Sequence, residues 1–416
     1  MKKHNLIIIG GGASGLMAAV VVARRGQRVL ILEKNAVVGQ KLAITGGGRC
    51  NITNLQTDRH ALLANYGAAS KFLFSPFAQF SNEDTVEFFE ELGLPIKVEA
   101  NNRAFPVSES APDVVRVLKE ECVRLGVEIR THATVKQIES ANGAITGVVC
   151  GGEVLVADSY LLATGGNSRP ETGSTGDGFA WLKDLEHTVV APTPTLVPWL
   201  CADSWTKQAS GVTLENAALT VFVNGAKKVR KVGNILCTHQ GLSGPLILNT
   251  SGEIAQPLAA GAAVSATIDL FPTLDHGALD AQLLELFALA PSKQVKNILT
   301  GLIPATLVPS VLSLLAAKQT EDIAALTASV LHREQRRALV QLLKAMPVTV
   351  SGLAGFEKAI VADGGVALEE IDMKTMRSKK ISNLFVTGDL LHINRPSGGF
   401  SLQLCWTTGF VAGTHC

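Results

Sequence analysis

Three glycines and one carboxylate near the start of the chain have the spacing of a dinucleotide-binding turn. An apolar strand from Leu6 runs into Gly10, Gly12 and Gly15, a helical stretch follows, and a second apolar run ends at Glu33. In such turns the glycines permit a tight turn, close approach of backbone to a pyrophosphate, and close packing of helix on strand. The acid binds a ribose hydroxyl and would repel a 2′-phosphate. The pattern therefore predicts an adenine dinucleotide whose phosphates face the N-terminus of the helix.

A second glycine-rich segment lies in residues 34–54 and contains the sequence KLAITGGGRCNITN. A flexible surface connection is one interpretation of such a loop. The alternative is a cofactor site, because bare backbone can touch a flat ring while Arg49 and the asparagines after it can bind phosphates. Arg49 could instead pair with a loop carboxylate. Cys50 is either a thiol with a lowered pKa beside that cation or a small packed residue.

Two later apolar runs end in small residues, and each predicts a buried strand whose end approaches the same ligand. The first is YLLATGG at 160–166, with the glycine-rich TGSTGDGF at 172–179 soon after it. The second is NLFVTGD at 383–389, and Ser397-Gly398-Gly399 then opens a last helix. We therefore expect the chain to leave its nucleotide domain near residue 190 and to re-enter it near residue 346.

The intervening segment has a different character. Short β-prone runs with Asn224-Gly225 as a turn predict a small antiparallel sheet or barrel. Leucine-rich helical periodicity follows from His276 to Ala345 and is typical of a bundle core. The predicted domains are accordingly 1–191 with 346–416 (nucleotide-binding), 192–275 (inserted β domain) and 276–345 (helical subdomain).

Composition excludes several classes of protein. Of 416 residues, 47% are hydrophobic and 18% charged, which rules out wholesale disorder, and 37 basic against 36 acidic residues demand neither nucleic acid nor an anionic membrane. The uncharged run from Asn5 to Ala23 could pass for a signal peptide or a membrane span, but the strand-turn-helix interpretation explains its three consecutive glycines. The 7 cysteines form no CxxC pair and no zinc-ligand spacing. We expect reduced thiols, no metal site and a cytoplasmic protein.

With GGGRCN, LLATGG, the motif CTHQGLSGP from Cys237 to Pro245 and the closing GD and GG pairs, the chain resembles the BaiN-like (YhiN-type) flavoprotein family over nearly its whole length. These are NAD(P)/FAD-dependent oxidoreductases of the glutathione-reductase-like class. The resemblance implies an α/β fold in which a glutathione-reductase-like FAD-binding Rossmann domain carries an inserted β-barrel-like domain and a small helical subdomain. The chain departs from the family at Gly388-Asp389-Leu390-Leu391-His392, where members commonly have Gly-Glu-(Val/Met)-Leu-Asp. As a result, His392 and Arg395 are expected to change the charge near the flavin.

The resemblance also implies which residues contact FAD. Val135 is expected near the adenine, Asp389 at the ribityl or pyrophosphate region, and Gly398, Gly399 and Phe400 under the flavin. The remaining predicted contacts are Gly10, Gly12, Ala13, Ser14, Gly15, Glu33, Lys34, Lys41, Gly47, Gly48, Arg49, Cys50, Asn51, Thr164, Gly165 and Gly388.

The predicted function is reduction of an unsaturated bond by hydride from flavin N5, with NAD(P)H as a transient reductant because only one dinucleotide fingerprint is present. One alternative is an amine oxidase of the aminoacetone type that passes electrons to O₂. His239 either braces its loop or donates the proton to a reduced substrate. The substrate is expected to be a small molecule, and the oligomeric state is left open.

The second alternative is an RNA-binding flavoprotein that reduces a uridine. It depends on two basic runs, Gly225 to Val232 and the group Arg333, Arg336 and Arg337. Solvated hairpin and helix faces are the more common explanation of such runs. If both runs line one cleft, phosphate contacts would supply affinity while a flipped base reached the flavin.

Overall fold

The computed structural model describes residues 4–317 and 325–416. The chain divides into two compact units. The first comprises Met1–Pro194 and Phe356–Cys416, and the second comprises Thr195–Gly355.

The strands of the described residues, in chain order, are β1 His4–Ile9, β2 Val29–Leu32, β3 Thr53–Asn54, β4 Ile96–Glu99, β5 Arg103–Pro106, β6 Glu128–Arg130, β7 Val135–Ala141, β8 Ala144–Cys150, β9 Glu153–Leu155, β10 Ala157–Leu162, β11 Val189–Thr195, β12 Trp199–Cys201, β13 Thr213–Val223, β14 Ala226–Thr238, β15 Gly241–Ser243, β16 Val264–Asp269, β17 Met346–Leu353, β18 Val361–Val366 and β19 Leu384–Val386. The α-helices are α1 Ala13–Arg24, α2 Arg59–Ala64, α3 Ser70–Gln79, α4 Asn82–Glu91, α5 Ala111–Arg124, α6 Asp177–Asp184, α7 Ser204–Gln208, α8 Pro245–Ala259, α9 His276–Leu289, α10 Val295–Leu299, α11 Val308–Ala316, α12 Arg333–Lys344 and α13 Phe400–His415.

A five-stranded parallel sheet in the order β19-β10-β1-β2-β6 forms the centre of the first unit. Strands β2 and β19 are apolar throughout and β1 and β10 end in apolar runs, whereas the edge strand β6 does not. Buried apolar runs are expected where helices cover both faces of a parallel sheet. Leu6, Ile7 and Ile8 of β1 are fully buried. The C-terminal strand β19 pairs with β10, so the sheet joins the first and last parts of the chain as the sequence predicts.

Helix α13 packs on α1 at unusually close range because two glycines face the N-terminal helix. A Cβ atom at Gly409 would lie 2.5 Å from the carbonyl oxygen of Ser14, and one at Gly413 would lie 2.9 Å from that of Ala18. Only glycine permits this approach. The packing fixes the start of α13 relative to the glycine-rich turn that precedes α1.

The predicted turn at Asn224-Gly225 is confirmed, and a second hairpin has a turn of the same kind. Asn142 and Gly143 both have positive φ and join β7 to β8, and Asn224 and Gly225 do the same for β13 and β14. This left-handed pair is the turn that matches the twist of antiparallel strands. Helices α3 and α4 follow each other closely, and Ser81 caps α4 through a capping box.

The second unit is a closed six-stranded barrel in the order β12-β15-β14-β13-β16-β17. Helices α9, α11 and α12 share one apolar core with the barrel strands, so the structure groups the barrel and the helices that the sequence divides at residue 275. Residues 318–324 of the predicted helical segment lie outside the described residues. Among the described residues no helix combines the length and the apolar character needed to cross a membrane.

The second boundary also differs from the predicted one at residues 345 and 346. Strand β17 pairs antiparallel with β16 and β12 and closes the barrel, so the first unit resumes at Phe356. The alternation of buried Met346, Val348 and Val350 with exposed neighbours predicts a strand. That alternation carries no information about which sheet the strand joins.

Candidate cofactor site

A cavity of about 1170 Å³, its open mouth included, lies at the carboxyl ends of β1, β2 and β10 in the first unit. Ligands of open parallel sheets bind at this edge. The cavity is lined by eleven of the predicted cofactor residues: Gly10, Gly12, Ala13, Ser14, Glu33, Lys34, Lys41, Val135, Thr164, Gly165 and Asp389.

The glycines of the first turn have separate functions. Gly10 has a φ of 106°, and a Cβ there would lie 2.5 Å from the carbonyl oxygen of Ala163. A Cβ at Gly15 would lie 2.1 Å from the carbonyl oxygen of Gly10, so helix and strand touch at this point. A Cβ at Gly12 would meet nothing within 4 Å, although this residue lines the cavity. Gly12 therefore leaves open space for a ligand against the backbone at the start of α1.

The Glu33 carboxylate is held by backbone groups beside the same cavity. Its Oε2 accepts from the N–H of Gly11 at 2.9 Å, and its Oε1 accepts from the N–H of Asn35 at 2.8 Å. Each oxygen keeps a further lone pair for a hydroxyl donor. Because the group is buried and fixed in orientation, it suits recognition of a ribose.

Lys34 lies next to Glu33 and closes part of the cavity rim. Its Nζ donates to Asp177 Oδ2 at 2.7 Å and to the Thr175 hydroxyl. Asp177 begins α6 and also lines the cavity. This contact fixes the glycine-rich segment at 172–179 beside the first turn.

Asp389 lies between two cations. Its Oδ2 accepts from Lys41 Nζ at 3.2 Å, and its Oδ1 accepts from Arg395 Nη2. Lys41 also donates to the buried hydroxyl of Ser168 at 2.6 Å. Burial alone would raise the pKa of Asp389, but the charges of Arg395 and Lys41 lower that pKa to about 2. The carboxylate is therefore ionised at neutral pH.

Residues at the start of α13 complete one side of the cavity. Ser401, Leu402 and Cys405 line it, whereas Gly398, Gly399 and Phe400 are not among its lining residues. Phe400 packs at a steep angle against Tyr66, whose hydroxyl donates to the Phe400 carbonyl at 2.9 Å. The helix N-terminus is thereby held in place behind the cavity wall.

Residues 49–54, which we call the brace segment, contact protein on several sides. Arg49 pairs with Glu99 and Glu109, and its guanidinium lies 4.3 Å from the centre of the Phe105 ring. Cys50 is fully buried, and burial raises the pKa of its thiol to about 12. These contacts favour the two structural alternatives weighed for Arg49 and Cys50, and a role of either residue in cofactor binding stays a prediction.

The remaining predicted residues lie away from the lining of this cavity. His239 is an exposed residue of the second unit, between β14 and β15. Among the described residues of the first unit, seven further predicted contacts do not line the cavity: Gly15, Gly47, Gly48, Arg49, Cys50, Asn51 and Gly388. His392 also lies in the first unit, 3.5 Å from Asp363.

Several lining residues were not predicted. Asn35, Gln40 and Trp181 neighbour predicted residues or the glycine-rich segment at 172–179, so proximity in sequence could have indicated them. Ile360 belongs to no motif, and only the fold brings it to the cavity. All seven cysteines of the chain are free.

The cavity fits FAD on three grounds. Gly12 leaves the space that a pyrophosphate needs at a helix N-terminus, Glu33 offers acceptors for a ribose, and Lys41 presents a cation in the cavity wall. A cation and a helix N-terminus in one wall suit the phosphates of an anionic dinucleotide.

Comparison with known proteins identifies relatives over the full length. The family described as HI0933-like protein Rossmann domain matches residues 4–415. The 3-dehydro-bile acid delta(4,6)-reductase of Clostridium scindens is 31% identical over 387 residues, which cover 93% of this chain and 92% of that protein. The ribosomal RNA dihydrouridine synthase of Haemophilus influenzae is 29% identical over 411 residues, covering 97% of this chain and 96% of that protein.

Solved structures share the fold. The crystal structure of the 3-ketosteroid delta1-dehydrogenase from Sterolibacterium denitrificans superposes with a TM-score of 0.57 at 13% identity, covering 100% of this chain and 99% of that one. At this identity the similarity concerns the fold alone.

Proposed function

Because the chain belongs to the HI0933-like Rossmann-domain family and is an FAD-dependent oxidoreductase, we propose that it reduces a carbon–carbon double bond conjugated to a carbonyl group, with NAD(P)H as the source of electrons. The observation that carries the proposal is the cavity of the first unit, whose backbone at Gly12, acceptors at Glu33 and cation at Lys41 suit FAD. When bound, FAD supplies a hydride to an electron-poor carbon.

The names of the two relatives support a shared reaction type. A delta(4,6)-reductase acts on ring double bonds of a 3-dehydro bile acid, and formation of dihydrouridine removes a double bond from a pyrimidine. In both substrates the double bond is conjugated to a carbonyl group. The substrate class proposed for this chain therefore follows from the conjugated double bond that the two substrates share. We favour a small, largely apolar enone.

The protein's own residues contribute binding and charge. Glu33 orients the adenosine end, Lys41 offers a cation in the cavity wall, and the N-terminus of α13 favours negative charge beside Ser401. We leave the proton donor unassigned, since His239 lies in the second unit.

Anaerobic mixing of the FAD-loaded protein with NADH and with NADPH tests the proposal. We expect the absorbance of oxidised flavin to bleach with at least one of them and to return on addition of an enone substrate. Bleaching by an amine, but by neither nicotinamide, would instead indicate an oxidase. A protein that takes up no FAD at all would refute the cofactor assignment.

A uridine in RNA is a second candidate substrate, which the dihydrouridine synthase relatives favour. In this chain the basic run on β14 is partly neutralised, since Lys231 pairs with Glu253 and Arg230 lies 4.0 Å from Asp269. Lys227 and Lys228 are exposed. Arg336, in the second basic group, binds Asp280 through two nitrogens. These pairings are the reason that we rank RNA second.

Salt-dependent retention of ribosomal RNA discriminates between the two candidates. If RNA is the substrate, charge reversal at Lys227 and Lys228 should weaken retention and reduce its dependence on salt. Charge reversal at Lys183, an exposed lysine of α6 in the first unit, serves as the control. Retention that is unaffected by the first pair of substitutions would remove the surface argument for RNA.

A further inference from the structure

Arg395 is a buried cation that the cavity itself does not expose. Its side chain is 1% exposed, and it lies behind Asp389, which lines the cavity. A buried charge is costly unless it is paired and hydrogen-bonded. An arginine at this position therefore needs partners, and the identity of those partners indicates its function.

The guanidinium group has a partner on each of its three nitrogens. Nη2 donates to Asp389 Oδ1, Nη1 donates to the Ile393 carbonyl at 2.6 Å, and Nε donates to the Ser401 hydroxyl at 3.1 Å. Two of these partners, Asp389 and Ser401, are residues of the cavity wall. The rigid fork of the guanidinium thus joins the end of β19 to the first turn of α13.

Asp389 depends on this arrangement because it is itself nearly removed from water. Its side chain is 13% exposed, and an isolated carboxyl group at such a position would take up a proton to avoid the cost of a buried charge. Lys41 is the other cation in contact, and it is more exposed, at 25%. Arg395 is therefore the partner that is shielded most from solvent.

We propose that Arg395 is a positioning residue that keeps the Asp389 carboxylate ionised and directed at the cavity, so that FAD binding is independent of pH across the neutral range. The inference rests on FAD being the ligand of this cavity. Arg395 acts through Asp389 and through Ser401 and need not touch the cofactor. Without Arg395, the Asp389 carboxyl group would take up a proton within the pH range in which FAD binds.

The other titratable groups near Asp389 do not supply the same effect. On α13, the half-buried Cys405 has a thiol pKa raised to about 12 by removal from water, so it stays neutral. Tyr66, whose pKa is raised by burial, is also neutral. On β18, Asp363 pairs with His392 at the protein surface. Asp363 and His392 are present in every variant below, so a difference between the variants does not come from them.

The test measures the Kd of FAD for the apoprotein between about pH 5 and pH 8. A carboxyl group whose pKa is lowered stays ionised throughout this range. For the wild type and for Asp389→Asn we expect less than about a twofold change across the range, since neither gains a proton at this position. For Arg395→Gln we expect Kd to rise about fivefold or more on acidification, because burial then raises the pKa of Asp389 and the protonated carboxyl group loses an acceptor that the hydroxyl groups of FAD can use. The double variant should again be insensitive to pH.

Arg395→Met replaces the cation with an apolar side chain of similar length, and it is used if the glutamine variant does not fold. Arg116→Gln, which breaks a surface ion pair with Glu120 on α5, is the matched control. A flat pH profile in a folded Arg395 variant, or a sloping one in the double variant, overturns the proposal. Failure of the wild type to bind FAD would instead overturn the proposed function.

Discussion

The first glycine-rich turn and the brace segment, which follows the glycines of the second turn, have different relations to the cavity. At the first turn, Gly12 presents its backbone to open space that a ligand can fill. In the second, the residues after the glycines are occupied by protein contacts: the Ile52 carbonyl accepts from the indole of Trp406 at 3.0 Å, and Thr53 donates to Gln403 at 2.5 Å. A run of glycines therefore indicates close approach by the backbone, without indicating what approaches.

The brace segment fixes the start of α13. The Asn54 amide donates to the Gly398 carbonyl at 3.1 Å, and in the amide orientation that satisfies both of its ends, Asn51 accepts from the Gly399 N–H at 3.0 Å. Strand β3 within the segment pairs with β5, so the contact is anchored on both sides. The first turn therefore leaves space for a ligand, and the brace segment holds the helix whose N-terminus borders the cavity.

The largest effect is expected from Gly399→Ala, which breaks the brace. Gly399 has a φ of 102°, and its Cβ would lie 2.4 Å from the Thr53 carbonyl carbon. Left-handed strain and overpacking against backbone together should lower the free energy of unfolding by about 3 kcal/mol. Chemical denaturation of the apoprotein measures the change.

Gly26→Ala is the control for this first prediction. Gly26 also has positive φ, at 75°, but a Cβ there would meet nothing within 4 Å. Its cost should be only about 1 kcal/mol, from backbone strain alone. Equal losses in the two variants would contradict the close contact between Gly399 and the brace segment.

Gly12→Val should have the next largest effect, and it should act on binding alone. Gly12 has an ordinary φ of −83°, so valine is tolerated by the backbone, and the stability of the apoprotein should fall by less than about 1 kcal/mol. In the complex, its methyl groups would occupy ligand space. An overpacking cost of about 1–3 kcal/mol weakens FAD binding by about fivefold to about 140-fold.

Titration of the apoprotein with FAD measures this effect, and Gly12→Ala provides a smaller step in the same direction. Wild-type affinity in the valine variant would show that the first turn is not the pyrophosphate site. A large loss of apoprotein stability would show instead that Gly12, like Gly15, packs against protein.

The sequence predicts much of this architecture because the relevant signals are local. The strand-turn-helix at Gly10, the hairpin at Asn142-Gly143 and the buried strand before Asp389 are each encoded within a few residues. The pairing of Arg395 with Asp389 is different. It depends on how the chain turns between β19 and α13, and no periodicity encodes that path. The sequence also fails to place β17 in the barrel, because alternation identifies a strand and leaves its neighbours undefined.

The smallest effect is expected from Arg49→Gln, which asks whether the second turn binds the cofactor. Hydrogen bonding from Arg49 lowers the pKa of Glu99, and hydrogen bonding from Lys97, with the charge of Arg49, lowers that of Glu109. Carboxyl groups with a lowered folded-state pKa stabilise the protein above their unfolded pKa, and this stabilisation is lost as the pH falls through the folded-state value. The wild-type Tm should therefore drop on acidification from about pH 7 to about pH 3. The variant should lose part of that drop.

If Arg49 binds only the protein groups Glu99 and Glu109, the FAD affinity of the Arg49→Gln variant should stay within about twofold of wild type. Because these ion pairs are partly exposed, their loss should also cost little stability. Arg59→Gln, at an exposed arginine of α2, is the control and should leave both the acid sensitivity of Tm and the FAD affinity unchanged. The opposite pattern, with an unchanged dependence of Tm on pH and an FAD affinity reduced about tenfold, would make Arg49 a cofactor ligand. It would also give the second turn a part in binding, and the difference between the two turns would then be one of degree.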